Sequence, residues 1–233
     1  MTEINDKQHT LNKYKQCMEE LKRRSEAIEL LVSGKFTTPF EYTNMEFCAL
    51  QLRKMLELIA LGNLVANKEE YKKHRENFEK DWNAKRIIED IEKFNPNFYP
   101  KPIVTKINNI ADLADPEREL FEKFQSGNKK EDLCQWVDKK GIYLTKKLFI
   151  CAYDLSSMCL HAENPFNMKK IQVKEKMHSF KVYVNLIIIL LSQHNIQLCN
   201  GDILNCIMEA KIKGNPDKKI GVSVTYFERL NKQ

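Results

Sequence analysis

Neither a CxxC nor an HxxxH pair occurs anywhere in the 233 residues, and the seven cysteines follow no regular spacing. An odd, irregular set argues against a disulfide framework, and no compact ligand set for zinc is present. The thiols stand mostly among apolar neighbours and read as buried free cysteines of a reducing cytosol. Glycine and proline are scarce, seven of each, which disfavours a many-turned β fold and favours long helices. There is no P-loop, GxGxxG, HExxH, EF-hand loop or GxSxG elbow, so dinucleotide, zinc-peptidase, calcium and serine-hydrolase chemistry lack a motif. No cofactor and no metal are expected. The polar start "MTEINDKQHT" has no apolar core of a secretory signal. The strongest apolar run, "VYVNLIIILL" at 182–191, is short of the ~18 residues a membrane span needs. The expectation is a cytoplasmic protein with no membrane association.

What is present is apolar residue at 42% and charge at 30%, enough for a sizeable core under a soluble surface. The net charge of +6 is unevenly spread. Residues 1–100 hold 17 basic and 17 acidic side chains, whereas residues 101–233 hold 21 and 15. Nine lysines fall within 139–181, against Asp154, Glu163 and Glu175 alone. Such a cluster can attract phosphate, or it can be the solvated face of a helix.

Hydrophobic spacing predicts a mainly α fold, a multi-helix bundle with a small C-terminal antiparallel β-hairpin or three-stranded meander. Residues 6–33 place Leu11, Tyr14, Met18, Leu21, Ser25, Ile28 and Val32 on one seam. This seam serves either packing within the chain or a homodimer, and Gly34 closes it. Thr38 followed by Pro39 and Glu41 reads as a helix start with Thr38 as N-cap, and that helix runs to about Ala66. A third helix opens at Asn67 and carries Tyr71, Phe78, Trp82, Ile88 and Ile91 as one stripe. The prolines of "NPNFYPKP" stop it, and 95–114 reads as an extended connector crossing the surface. A short helix follows Asp115-Pro116, "KEDLCQWVDKK" is helical or irregular, and firmer helices cover Leu144–Ala162 and Ile171–Gln193. The last forty or so residues alternate in twos. Segments 203–212 and 220–229 form a hairpin, Ile196–Cys199 adds a third strand, and the hairpin is a second candidate for self-association. The implied division is a helical bundle over 1–194 and a β subdomain over 195–233 packed upon it.

Two places carry candidate chemistry. In "YDLSSMCLHAENPF" (153–166), His161 sits in the last turn of a helix that Pro165 ends, with Asn164 beside it. One reading is a helix terminus with His161 on the dipole. The other aims His161 and Asn164 into a cleft lined by lysines, where an imidazole can exchange protons near neutral pH. In "LQLRKMLELIA" (50–60), Arg53 and Glu57 form an i,i+4 pair, with Glu46 on nearly the same face. That pair is either a solvent-side ion pair or a partly buried Arg aimed at phosphate or at a facing helix.

Together, "LRKMLELIA" in an early helix and "YDLSSMCLHAENPF" in a later one resemble the HEPN class over about residues 40–165. The class comprises all-α domains, many of which handle nucleotides or RNA, and it is common in toxin and antiphage defence systems. Its nuclease-active members carry an Arg shortly before a His, and no Arg stands so before His161, His178 or His194. The resemblance implies His161 as the catalytic or RNA-contacting group, Asn164 beside it, and Arg53 as a substitute cation from another helix. Lys146, Lys147, Lys169 and Lys170 would hold the backbone of an RNA or nucleotide, with Glu57 orienting Arg53. The function so implied is binding of RNA or another phosphate-bearing ligand, with defence-type ribonuclease activity as its catalytic form. The alternative is a non-catalytic interaction or oligomerisation module in which His161 is structural.

Overall fold

The computed structural model describes residues 2–75, 77–107, 134–162, 166, 172–208 and 222–227. Within them the chain is mainly helical with one antiparallel sheet. Helix α1 (Thr2–Val32) lies along α2 (Glu41–Ala66), and Tyr14, Met18, Leu21 and Ile28 are buried there. The seam is therefore used within the chain, and in the last turn Leu31 replaces the exposed Val32 on the inner side. Arg24 anchors the outer edge by pairing with Glu20 at 2.6 Å and donating to Gln51 of α2 at 2.9 Å. Gly34 takes the left-handed conformation (φ 74°) that ends the helix. The α2 start differs from expectation. Phe40, not Thr38, occupies the cap position and has no side-chain acceptor to cap with, while the Thr38 hydroxyl donates to the Phe40 carbonyl at 3.0 Å.

The single helix predicted after Asn67 is broken into three. Helix α3 (Lys68–His74), a 3₁₀ turn at Phe78–Lys80 and α4 (Ala84–Phe94) replace it. Arg75 leaves the helical path to pair with Asp81 at 2.9 Å and Asp90 at 2.7 Å. The Tyr71 hydroxyl donates to Asp81 at 3.0 Å, while Asn83 restarts a helix by accepting the Arg86 N–H. Trp82 consequently falls off the predicted stripe and is 68% exposed.

The connector is also corrected. Its described part, 95–107, does not simply cross the surface: Phe98, Tyr99 and Ile103 are buried, and Lys101–Ile107 is strand β1, while 108–114 lie outside the described residues. Cys134–Asp138, expected as helical or irregular, is β2, paired antiparallel with β1. Helices α5 (Lys146–Leu160) and α6 (Val173–Leu191) follow. Then come β3 (Gln193–Gln197), β4 (Ile203–Met208) and β5 (Val222–Phe227). These last three are the expected meander. Pairing of Pro102 with His194 joins it to β1, which makes a five-stranded sheet of order β2-β1-β3-β4-β5. A boundary at 194/195 would run through β3. The helix expected after Asp115-Pro116 and the hairpin turn at 213–219 lie outside the described residues. No helix among the described residues is long and apolar enough to cross a membrane.

Sheet and helices share one core. Ile196, Leu204, Cys206 and Val222 are buried in the same cluster as Tyr14, Leu56, Phe180 and Leu190. In its middle lies fully buried His194. The Leu191 carbonyl, 3.0 Å from Nδ1, can only accept, so that nitrogen carries the hydrogen. Nε2 is then free to accept the Tyr14 hydroxyl at 2.5 Å. Gly62 lets α1 approach α2: a Cβ there would stand 3.1 Å from the Tyr14 ring and 3.3 Å from the Met18 methyl.

Two stability predictions follow from these contacts. Burial lowers the His194 pKa from 6.5 to about 4. The unfolded chain thus takes up a proton before the native one as pH falls. Stability should be level above about pH 6.5 and decline by roughly 1.4 kcal/mol per unit below it, toward pH 4. Urea unfolding at pH 7, 6 and 5 measures this, and His194→Gln should flatten that limb. Gly62→Leu should cost about 2 kcal/mol by overpacking, read as a lower urea midpoint with unchanged slope.

Candidate functional site

Thr145 starts α5 by accepting the Leu148 N–H at 3.3 Å, and Phe149, Ala152, Tyr153, Ser156 and Cys159 form its buried face. The helix runs antiparallel to α4, as shown by the Lys85–Asp154 pair at 2.5 Å and the Lys146–Glu92 pair. Arg53 of α2 reaches across to α5. Its Nε donates to Glu57 at 3.1 Å, Nη1 donates to the Ser157 hydroxyl and Nη2 to the Tyr153 hydroxyl. Its guanidinium carbon is 3.4 Å from the Tyr153 ring centroid. Glu57 also accepts from Lys54 at 2.8 Å. Arg53 and Glu57 are 17% and 15% exposed, so the pair is neither a solvent-side bridge nor fully sealed. Of the readings open from sequence, the geometry matches an Arg aimed at a facing helix.

His161 is the C-cap residue of α5, with φ −88° and ψ 137°. Its ring is exposed and makes no hydrogen bond or ion pair among the described residues. Arg53 and Glu57 are thus brought together with Ser157 and Tyr153, while His161, one helical turn beyond Ser157, does not join them. Asn164, Lys169 and Lys170 lie outside the described residues. Lys146 is occupied by Glu92 and stands 5.8 Å from the Phe98 ring. Lys147 is exposed and unpaired among the described residues. No group of three or more His, Cys, Asp or Glu that could hold a metal exists among the described residues.

Among the concavities lined by charged side chains, two gather cations on α6 and on α3–α4. One, of about 380 Å³, lies where α6 meets the α1–α2 turn and is lined by Lys174, His178, Lys181, Glu41 and Asn44 among others. The three α6 side chains follow one another at i, i+4 and i+7, so they share a face. They are exposed and have no ion-pair partner among the described residues. Phe36 and Phe40, in the adjoining turn, are 47% and 68% exposed.

The other concavity, of about 630 Å³, is lined by residues of α3 and α4 together with Arg75 and Asn77. Arg75, Arg86 and Lys93 approach one carboxylate there, that of Asp90, at 2.7, 3.8 and 2.7 Å. Burial by itself would raise the Asp90 carboxyl, but hydrogen bonds from Lys93 and Arg75 outweigh it and hold the pKa below the usual carboxylate value. His74 lies flat on Phe94, with ring centroids 5.1 Å apart and planes 11° off parallel. The sequence does show the α6 stripe as three regularly spaced residues. It gives no sign of the α3–α4 cluster, because the break after His74 is what folds Arg75 onto α4.

No family model, curated protein or solved structure matches the chain.

Since Arg53 is held through a planar fork and a stacked face, lysine cannot replace it. Arg53→Lys should cost about 2 kcal/mol, and Arg53→Ala should cost no more than slightly beyond that. Equilibrium unfolding of both variants measures the difference; a lysine variant as stable as the parent would disprove the fork-and-stack description.

Proposed function

We propose that this chain is a HEPN-like helical protein that binds single-stranded RNA, and that it does so through the exposed face of α6 rather than at Arg53. The observation that carries the reading is the row Lys174, His178 and Lys181, unpaired among the described residues, lining a concavity beside the α1–α2 turn, in which Phe36 and Phe40 are exposed. Cations that follow a backbone, with aromatic faces on which bases stack, are what a sequence-tolerant single-strand site requires. Lys174 and Lys181 belong to the lysine surplus of residues 139–181. Arg53 is engaged with Glu57, Ser157 and Tyr153, which favours binding over cleavage. In a ribonuclease form of this reading, His161 would be the general acid or base.

A second reading, a protein-interaction module, draws on a different observation. The antiparallel α4–α5 pair sets Trp82, three residues before Lys85, and Met158, one turn beyond Asp154, at the same end. They are 68% and 54% exposed, and large exposed apolar side chains of this kind are common at interfaces.

Fluorescence anisotropy with a labelled single-stranded RNA, repeated over a salt series, tests the first reading. Affinity should fall as salt rises, since counterion release drives phosphate binding. Lys174→Gln with Lys181→Gln should weaken it and lower the log–log salt slope by about 0.7 for each lysine removed. Absence of binding, or binding indifferent to both lysines, would defeat the RNA reading.

A further inference from the structure

We propose that the concavity between α3 and α4 is a second, separate binding site, which takes a nucleoside diphosphate. Its volume of about 630 Å³ lies within the range of roughly 300–1,000 Å³ usual for small-molecule sites. Two features in it point to the two halves of such a ligand.

The first is charge beyond what the fold needs. Arg75 is 24% exposed and bridges Asp81 and Asp90, so it already fastens α3 to α4. Arg86 and Lys93 are 64% and 72% exposed; Lys93 pairs with Asp90 at 2.7 Å and Arg86 stands 3.8 Å from it, so both cations remain open to a ligand from the solvent side. Three cations thus face one carboxylate inside the lining. The Nη2 of Arg75 makes no hydrogen bond among the described residues, Nη1 being the atom that donates to Asp90. A phosphoryl group can take the hydrogen bonds that Asp90 leaves over, because guanidinium and ammonium groups bind phosphate strongly.

The second feature is a flat ring with a free face. His74 is stacked on Phe94 by one side, and its side chain is 54% exposed. Its Nε2 lies 3.4 Å from Glu70, which holds the ring edge and not its face. A base laid on that outer face would extend the stack, while Asn77 supplies a polar side chain along the wall. Stacking plus phosphate contacts, without a metal, is enough for a moderate-affinity site.

The proposal is independent of the RNA reading: it uses α3 and α4, and none of its residues is on α6. Calorimetric titration of the full chain with ADP, GDP, CDP and UDP separately, and with pyrophosphate and adenosine as partial ligands, tests it. At least one nucleotide should bind. Replacing both Arg86 and Lys93 by Ala should weaken that binding about tenfold or more. His74→Ala should weaken it by about fivefold or more while leaving pyrophosphate unaffected. All these side chains are exposed, so the variants should fold, and a urea curve on each verifies it. Failure of all four nucleotides to bind would overturn the proposal, as would binding indifferent to Arg86 and Lys93. Pyrophosphate binding as tight as that of the nucleotides, with no effect of His74→Ala, would reduce the site to an anion site and overturn the nucleotide assignment. RNA binding should survive the Arg86/Lys93 change and nucleotide binding should survive the Lys174/Lys181 change, so the two readings can fail separately.

Discussion

Enclosure of α2 is the constraint from which the rest of the architecture follows. Its buried positions, among them Met45, Leu52, Leu56, Ile59 and Leu64, occupy more than one face. A helix apolar around much of its circumference is stable in water only when surrounded, and α1, α4, α5 and α6 do this. Gly62 provides the close approach on the α1 side, at the usual helix cost of roughly 1 kcal/mol for a glycine. At the far end, Asn95 donates to Asn67 and to the Gln197 carbonyl, both at 2.8 Å, which ties α2 and α4 to the sheet.

Enclosure also decides what the charges on α2 can do. A largely buried guanidinium without partners would cost several kcal/mol in desolvation. Arg53 therefore has a carboxylate, two hydroxyls and an aromatic face around it, and serves as a polar fastener between α2 and α5. Arg86 and Lys181 carry the same charge on the rims of the bundle, where water solvates them and no such fastening is imposed. The cations available to a ligand are thus peripheral, and the buried ones are structural. His194 repeats this rule for a neutral group: buried wholly, it keeps one hydrogen and is satisfied at both nitrogens by Leu191 and Tyr14.

Regular, local patterns were legible. The α1 seam, the extent of α2, the α5 and α6 helices and the alternation in β4 and β5 all come from side chains a few residues apart. The breakdown of the third helix was not legible, because the agents that break it, Asp81 and Asp90, are polar residues acting through space on Arg75. Strand β1 was hidden by prolines that normally signal a connector, and Pro102 is accommodated by pairing with β3 at His194. Strand β2 has too few alternating positions to declare itself. Of the candidate site, the Arg53–Glu57 pairing was visible as a spacing. Its attachment to Tyr153 and Ser157, 100 and 104 residues away, was not.

By itself, the sequence determined the helical character, the apolar seams, the meander and the lysine surplus of the second half, since periodicity and composition are properties of neighbours along the chain. Only the tertiary structure decided which charges are consumed and which remain available. It folded Arg75, Arg86, Lys93 and His74 about one opening and left His161 apart from Arg53. The physical reason is that desolvation and pairing depend on distance in space, and residues far apart in sequence acquire that distance only when the chain has packed.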